Sequence, residues 1–388
     1  MVIFNSLGSN WDLWSAIKFF FALPSNENKN KLTNYLESKY HGKALLFYKG
    51  RQALSYCLQN AKLPKDSYVA INSLTCVVVK DAIINNKLRP YYLDSDGNLN
   101  FSYAELKSAI QKNKISAVII QNTFGYPCDI EKITSFCHKN KILLIEDLAH
   151  CIGTKYSDKK YAGDYGDMVA LSFSQDKMID VVSGGALIDK TGLLVSVEDE
   201  LIGRLSVIDC FKDKLYPLLT FKIRFLYNFG VGKYYHYLIK KINLLSTPIK
   251  KQDHLNIEAL PTSSCSRILT ELHNLEKQIN HRKKLSKIYA ENLNKAILIP
   301  SVTNNIEYST NLRFPIFVEG RGILTLFLKL KGIHLSDIWY DKTLFPCPHF
   351  DKIARTIINL PTHINIDEEK ALSICQYINQ WVKSNTKK

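Results

Sequence analysis

Ile142-Leu-Leu-Ile-Glu-Asp147 and Val169-Ala-Leu-Ser-Phe-Ser174 are two short, nearly continuous apolar runs, too brief for amphipathic helices. Runs of this kind read as strands buried on both faces, the pattern of a parallel sheet covered by helices. The first ends on a carboxylate, Asp147. The second is followed three residues later by Lys177 and then by a Ser183-Gly-Gly turn. Working outward, Tyr68-Val-Ala-Ile71, Pro90-Tyr-Tyr-Leu93, Ala117-Val-Ile-Ile120 and Ala186-Leu-Ile188 repeat the pattern, with helix-like segments between them. The region from 66 to 190 is therefore expected to be an α/β unit with a mostly parallel sheet and flanking helices. In such sheets ligands gather beyond the carboxyl ends of the strands, where Asp147 and the loop carrying Lys177 both fall.

The rest of the chain is read from the same frame. Gly50-Arg-Gln-Ala-Leu-Ser-Tyr-Cys-Leu58 predicts a helix with Gly50 at its mouth, and a helix N-terminus offers amides to an anion. Ser264 to Leu293, just past Pro261, predicts one long helix with Leu269, Leu272, Leu275, Ile279 and Leu285 on a repeating face. A strand at Arg313–Val318, a helix at Ile323–Lys331 and a last helix at Glu368–Lys383 complete a smaller α+β unit. The expected division is a large domain over 1–255, carrying an insertion at 205–252, and a linker helix with a small C-terminal domain over 256–388.

Composition narrows the class. The chain has 388 residues and 46% hydrophobic content, enough to bury a large core. No apolar stretch approaches the roughly 20 residues needed to cross a bilayer, so a soluble or surface-bound protein is expected. The apolar run Leu13–Leu23 is interrupted by Lys18 and lacks the order of a secretory signal. Nine cysteines are scattered without a C-x-x-C pair, which fits a reducing cytoplasm and offers no metal site. No internal repeat at a fixed period is present.

Lys177 and Asp147 together suggest a site for pyridoxal 5′-phosphate. A lysine near a strand end can bond the cofactor aldehyde, and a carboxylate at a neighbouring strand end can keep the pyridine nitrogen protonated. Asp147 ends an apolar run, where a charge needs a cationic partner. His150 is placed to lie against the ring, and the Ser172 hydroxyl to join the helix amides of Gly50, Arg51 and Gln52 on the phosphate. Each residue alone also has an ordinary reading: a capping Asp, a packed His, a Ser bonded to a neighbouring carbonyl, a solvated Lys.

The motifs Phe124-Gly-Tyr-Pro-Cys-Asp-Ile130, Ile145-Glu-Asp-Leu-Ala-His150, Gly163-Asp-Tyr-Gly-Asp-Met168 and Ser172-Phe-Ser-Gln-Asp-Lys177 through Gly184-Gly-Ala186 resemble the DegT/DnrJ/StrS family of sugar aminotransferases, of fold type I. The resemblance reaches back to Gly50-Arg-Gln-Ala-Leu54 and forward through Leu275-Glu-Lys-Gln-Ile-Asn-His-Arg282, Lys331-Gly-Ile333 and Leu360-Pro-Thr-His363. It implies that Lys177 bonds the cofactor, Asp147 partners the pyridinium, His150 lies over the ring and Ser172 contacts the phosphate. It also implies a homodimer that moves an amino group, commonly from glutamate, to a nucleotide-linked keto sugar in polysaccharide or glycoconjugate synthesis. The chain departs from the family pattern at Arg51, at Cys76 where an aromatic residue usually stacks, and at Met178 and Ser183 around the lysine. It departs again at Pro261-Thr-Ser-Ser-Cys265, where an asparagine-arginine pair is usual. The presence of Lys177 disfavours the dehydratase branch that carries histidine there. Trp339, Tyr340 and His349 are expected along the acceptor site.

The net charge of +15 is concentrated. Between Phe211 and Lys251 nine Lys/Arg face the single acid Asp213, interleaved with nine aromatic residues. Such a segment suits peripheral contact with an anionic membrane, the inner leaflet in a cytoplasmic protein. The other reading is a helical insertion packed on the dimer or domain core. Single-stranded nucleic acid is a third possibility that nothing else supports, and no nucleic-acid partner is expected. Two further rivals remain: a PLP-fold scaffold without turnover, and a nicotinamide enzyme, for which no G-x-G-x-x-G turn follows a first strand.

Overall fold

The computed structural model describes residues 2–193, 203, 205–247, 257–335, 339 and 341–385. The chain opens with a two-residue strand β1 (Ile3–Phe4), then helices α1 (Leu13–Phe20) and α2 (Asn26–Tyr40). Asp12 and Ser25 cap these helices by accepting from the Ser15 and Asn28 amides. The chain enters the main sheet through β2 (Lys43–Phe47), and α3 (Gly50–Asn60) follows at once. Then strands and helices alternate: β3 (Tyr68–Asn72), α4 (Val77–Asn85), β4 (Arg89–Leu93), α5 (Tyr103–Lys112), β5 (Ile115–Ile120), α6 (Ile130–Lys139), β6 (Leu143–Asp147), β7 (Met168–Ser172) and β8 (Gly185–Asp189).

The seven strands are ordered β2-β8-β7-β6-β5-β3-β4, with β3 to β7 mutually parallel and β8 antiparallel to both β7 and β2. All six strands expected between 66 and 190 are present, within two residues at each end. Alternate side chains explain why these runs are apolar throughout. Val69 and Ile71 pack under α3 and α4, while Ala70 faces the layer of α5 and α6. The chain leaves β3 outward to β4 and then crosses back to β5, so the winding direction reverses beside β3. That reversal opens a crevice at the carboxyl edge.

Two helices fill the basic region: α7 (Val207–Tyr227) and α8 (Gly232–Lys241). The long helix expected from 264 to 293 is instead two, α9 (Thr262–His273) and α10 (Leu275–Asn292), with Asn274 between them at φ −85°, ψ 0°. Asn is a poor helix former whose amide favours turns, and Gln278 Nε2 donates to Glu271 Oε2 across the break. The chain then passes through α11 (Pro300–Thr303), β9 (Phe314–Phe317), α12 (Arg321–Leu330), β10 (Ile333–His334), α13 (Pro348–Thr356), β11 (Ile357–Leu360) and α14 (Glu368–Asn385). β9 pairs antiparallel with β11, and β10 pairs in parallel with the N-terminal β1. A core of Leu285, Tyr289, Phe314, Ile316, Leu324, Phe350 and Ile374 joins this C-terminal part and takes in Ile3, Leu74, Leu99, Phe124 and Tyr126 from the first half of the chain.

Candidate active site

β6 and β7 run side by side in parallel, with Asp147 registered against Ala170, so the carboxyl ends of both strands share one rim of the sheet. Asp147 is the last residue of β6, and its Oδ1 accepts the Ala149 amide at 3.0 Å. Burial raises the pKa of its carboxyl, and the Ala149 bond and the Lys177 charge lower it.

β7 is buried at every position and held by strands on both sides. Beyond it the chain makes an excursion over 174–183 before returning as β8. Its neck is tied by the Val181 amide to the Phe173 carbonyl (2.9 Å) and the Phe173 amide to the Gly184 carbonyl (2.8 Å). Lys177 lies in this excursion. Asp176 and Val182 hold φ of +61° and +67°, and a β-branched valine there is a strained backbone of the kind that gathers at working sites. The loop is also strapped from outside: Ser6 donates to Asp176, the Trp11 indole to the Asp180 carbonyl at 3.0 Å, and the Tyr216 hydroxyl to Gln175 at 2.9 Å. Burial lowers the pKa of the Lys177 amine, Cys76, Asp147 and Asp176 raise it, and Arg313 lowers it. Lys177 and Asp147 therefore feel each other's charge at this rim.

At the other side of this rim, α3 begins at Gly50 directly against the end of β7. A Cβ on Gly50 would stand 2.7 Å from Ser172 Cβ and 3.1 Å from the Leu171 carbonyl, and one on Gly185 would stand 2.6 Å from Gly50 Cα. Only glycine permits this approach, which sets the Ser172 hydroxyl beside the helix N-terminus. Such a cradle of helix amides and hydroxyl suits a phosphate. The Gln52 amide, expected among the donors, closes the first turn on the Lys49 carbonyl at 3.0 Å, and the Gln52 side chain accepts the Lys49 amide and reaches Glu258. The phosphate expectation therefore narrows to the head of the helix at Gly50 and Arg51. Lys49 itself is buried, with Nζ donating to Ser183 Oγ at 2.6 Å.

His150 is 3% exposed, and its Nδ1 accepts the Phe124 amide at 3.3 Å. Burial, with the Lys177 and Arg313 charges, drives its pKa well below the usual value, so the ring is neutral. Phe124, at φ +56°, lies parallel to it at 5.8 Å, and Trp339 at 5.2 Å. The motif around Phe124 is thus a turn built to present a flat ring. Thr310 Oγ1 to the His150 carbonyl and Thr154 Oγ1 to the Gly125 carbonyl hold that turn in place.

Two neighbours of Lys177, Arg313 and Trp339, are not expected beside it from the sequence. Arg313, 2% exposed, reaches Asp176 Oδ1 at 3.3 Å, and its guanidinium stands 5.1 Å from the Trp339 ring. Lys177 Nζ lies 4.8 Å from that same ring. Trp339 was expected along the acceptor side, and it stands here against both His150 and Lys177. His349 is exposed and pairs with Asp94 at 3.1 Å, and Tyr340 lies outside the described residues. Glu146, next to Asp147, is fully buried and accepts from the Gly163 and Tyr165 amides and the Tyr156 hydroxyl, each at 2.9 Å. It anchors the Gly163–Asp167 turn, which explains that motif as scaffolding.

The sequence profile of the DegT/DnrJ/EryC1/StrS aminotransferase family matches residues 26–201, which hold Gly50, Arg51, Asp147, His150, Ser172 and Lys177 but not Arg313 or Trp339. Over that stretch the chain is similar to the DegT/DnrJ/EryC1/StrS aminotransferase family. Among its relatives, GDP-perosamine synthase of Escherichia coli O157:H7 is 24% identical over 86% of this chain and 84% of that protein. The dTDP-3-amino-3,6-dideoxy-alpha-D-galactopyranose transaminase of Aneurinibacillus thermoaerophilus is 22% identical over 91% and 88%. In fold the chain is similar to Helicobacter pylori PseC, an aminotransferase involved in the biosynthesis of pseudoaminic acid, with TM-score 0.74 and 15% identity over 99% of this chain and 100% of that one. DegT/DnrJ/EryC1/StrS enzymes are pyridoxal phosphate-dependent aminotransferases, so the chain is assigned to that enzyme class. The relatives are named as a synthase and a transaminase, which does not favour the scaffold alternative, and a nicotinamide enzyme is set aside. The residues present fit the cofactor: a cradle that a Cβ would fill for its phosphate, a half-buried strand-end carboxylate for its ring nitrogen, and a desolvated amine for its aldehyde.

Proposed function

We propose that the chain is an aminotransferase acting on a nucleotide-linked keto sugar in polysaccharide or glycoconjugate synthesis, with glutamate as amino donor. The observation that carries this is the placement of Lys177 and Asp147 at adjacent strand ends beside the Gly50–Ser172 cradle. The relatives named for amino sugars on GDP and dTDP support the substrate class and leave the nucleotide open. The reaction balances without an external oxidant: one water supplies the keto acid's carbonyl oxygen as the donor's amino group leaves, and one water is released as that amino group replaces the sugar's carbonyl oxygen.

Bound pyridoxal phosphate supplies an electron sink that stabilises the carbanion formed next to the amine nitrogen. Lys177 Nζ would hold the cofactor through its aldehyde carbon and would move the proton at the donor carbon, a task its lowered pKa suits. Asp147 holds a proton at the ring nitrogen. His150, neutral and pinned by the Phe124 amide, lies against the ring without adding a competing charge. The amides at Gly50 and Arg51 and the Ser172 hydroxyl bind the phosphate, Gln52 supporting them through its cap on Lys49.

The same reading divides the chain into a cofactor-binding domain over 1–255 and a smaller domain over 256–388. The boundary itself lies outside the described residues, and the two-stranded sheet of β9 and β11, apart from the seven-stranded sheet, supports the division. It further assigns a cytoplasmic homodimer with sites at the subunit interface, and peripheral contact with the inner membrane face through 211–251. Addition of L-glutamate to the holoprotein should bleach its visible absorbance and release 2-oxoglutarate, and a keto sugar nucleotide should restore the band. Absence of bleaching would overturn the aminotransferase reading.

A further inference from the structure

Large apolar side chains left in water are scattered singly on most proteins, and a cluster of them needs an explanation. Here they gather on the helical hairpin of α7 and α8. Phe225 and Phe229, in ring contact at 5.2 Å, lie at the end of α7, and Tyr234, Tyr237, Leu238 and Ile242 follow along α8. All six are more than half exposed, with Tyr234 at 75%. Tyr234, Tyr237, Leu238 and Lys241 follow helical spacing, and Ile239 on the other side of α8 is buried. The hairpin is a set shape. Gly230 takes φ +76°, and a Cβ on Gly232 would stand 2.5 Å from the Tyr227 amide nitrogen, so only glycine lets α8 fold back so closely. At its base, Tyr216 and Ser246 both hold Gln175 of the lysine loop.

The charge on this surface has one sign. Lys222, Lys233, Lys240 and Lys241 are exposed among the aromatic residues, and the only acid between 211 and 251, Asp213, is buried and accepts from Ser246 at 2.6 Å. A second copy of the chain is a poor occupant, because a two-fold interface sets a patch against itself and would bring these lysines together. No described helix is long and apolar enough to cross a membrane. An amphipathic helix with tyrosines and lysines around an apolar stripe is the form that lies in the headgroup layer.

We propose that α8 and the last turn of α7 dock this protein on an anionic lipid surface, with the aromatic residues in the headgroup layer and the lysines on acidic headgroups. The inference stands apart from the proposed reaction, since the hairpin meets the lysine loop only through its base at Tyr216 and Ser246, and the exposed aromatic residues and lysines named here are not among the site residues. The test is co-sedimentation of the holoprotein with vesicles of phosphatidylglycerol and phosphatidylcholine, beside pure phosphatidylcholine. Binding is expected to the mixed vesicles alone, and to fall away at about 0.5 M NaCl, where charges are screened within a few ångströms. The Lys233→Gln/Lys240→Gln/Lys241→Gln variant should bind about 100-fold more weakly. The Tyr234→Ser/Tyr237→Ser/Leu238→Ser variant should lose binding while keeping its elution volume and visible cofactor band. No binding to the mixed vesicles, equal binding by both variants, or a changed oligomeric state in either would overturn the proposal. Those outcomes leave the aminotransferase reading untouched, because the cofactor band and glutamate bleaching are read separately on the same samples.

Discussion

Replacing Lys177 by alanine should leave a folded protein with no covalently held cofactor, no visible absorbance of the lysine-bound kind, and turnover reduced by roughly 10⁴-fold. Two roles disappear with the side chain. The first is the covalent hold on the cofactor aldehyde, and the second is the amine that moves the proton at the donor carbon. Folding should be spared, because burial already disfavours the ammonium and removing a desolvated cation recovers that cost. Absorbance spectra, steady-state kinetics and thermal melts on the same preparation check all three. A variant that kept the wild-type spectrum would locate the bond elsewhere.

The second large effect is expected from Asp147→Asn, which keeps the shape and an oxygen for the Ala149 amide but cannot hold a proton on a ring nitrogen. A fall in kcat of roughly 10²–10³-fold is predicted, the size seen when one preorganised electrostatic partner is removed. The substitution also acts on its neighbour. Asp147 raises the pKa of Lys177, so its loss lowers that pKa further, and the basic form of the amine should persist to lower pH. The pH dependence of acylation of the free Lys177 amine in the apoprotein should show that displacement in the Asn variant. A structural role alone would lower stability without moving the titration.

Much of this site is legible in the sequence because its parts are local. Asp147, Ser172 and Lys177 each sit at a fixed short distance from an apolar strand, and period and composition suffice to find such strands. Gly50 is legible for a related reason, as a glycine placed where a helix starts. What escaped was set by contacts across the chain. β1 pairs with β10, more than 300 residues away, and nothing in two residues, Ile3 and Phe4, announces a partner. β2 begins with Lys43 and is only five residues long, a weak signal that becomes a strand through its antiparallel partner β8.

Arg313 escaped for the same reason, and Trp339 was legible only as an acceptor-side residue: each comes near Lys177 from a distant part of the chain, through tertiary packing alone. The break at Asn274 shows the opposite failure. The apolar repeat from Leu269 to Leu285 continues through it, so periodicity runs the two helices together, and only the backbone of one asparagine separates them. Gln52 was legible as part of the turn at Gly50, yet its amide and side chain both serve the helix cap. Spacing located the turn without telling ligand donors from structural ones.

Borohydride reduction of the holoprotein followed by peptide mass mapping tests the central assignment most directly, since it fixes the cofactor to whichever amine held it. The account predicts a phosphopyridoxyl group on the peptide carrying Lys177 and on no other. Lys49 is the informative competitor, a buried amine beside Ser183 at the same rim. Label on Lys49, or on no lysine at all, would contradict the account.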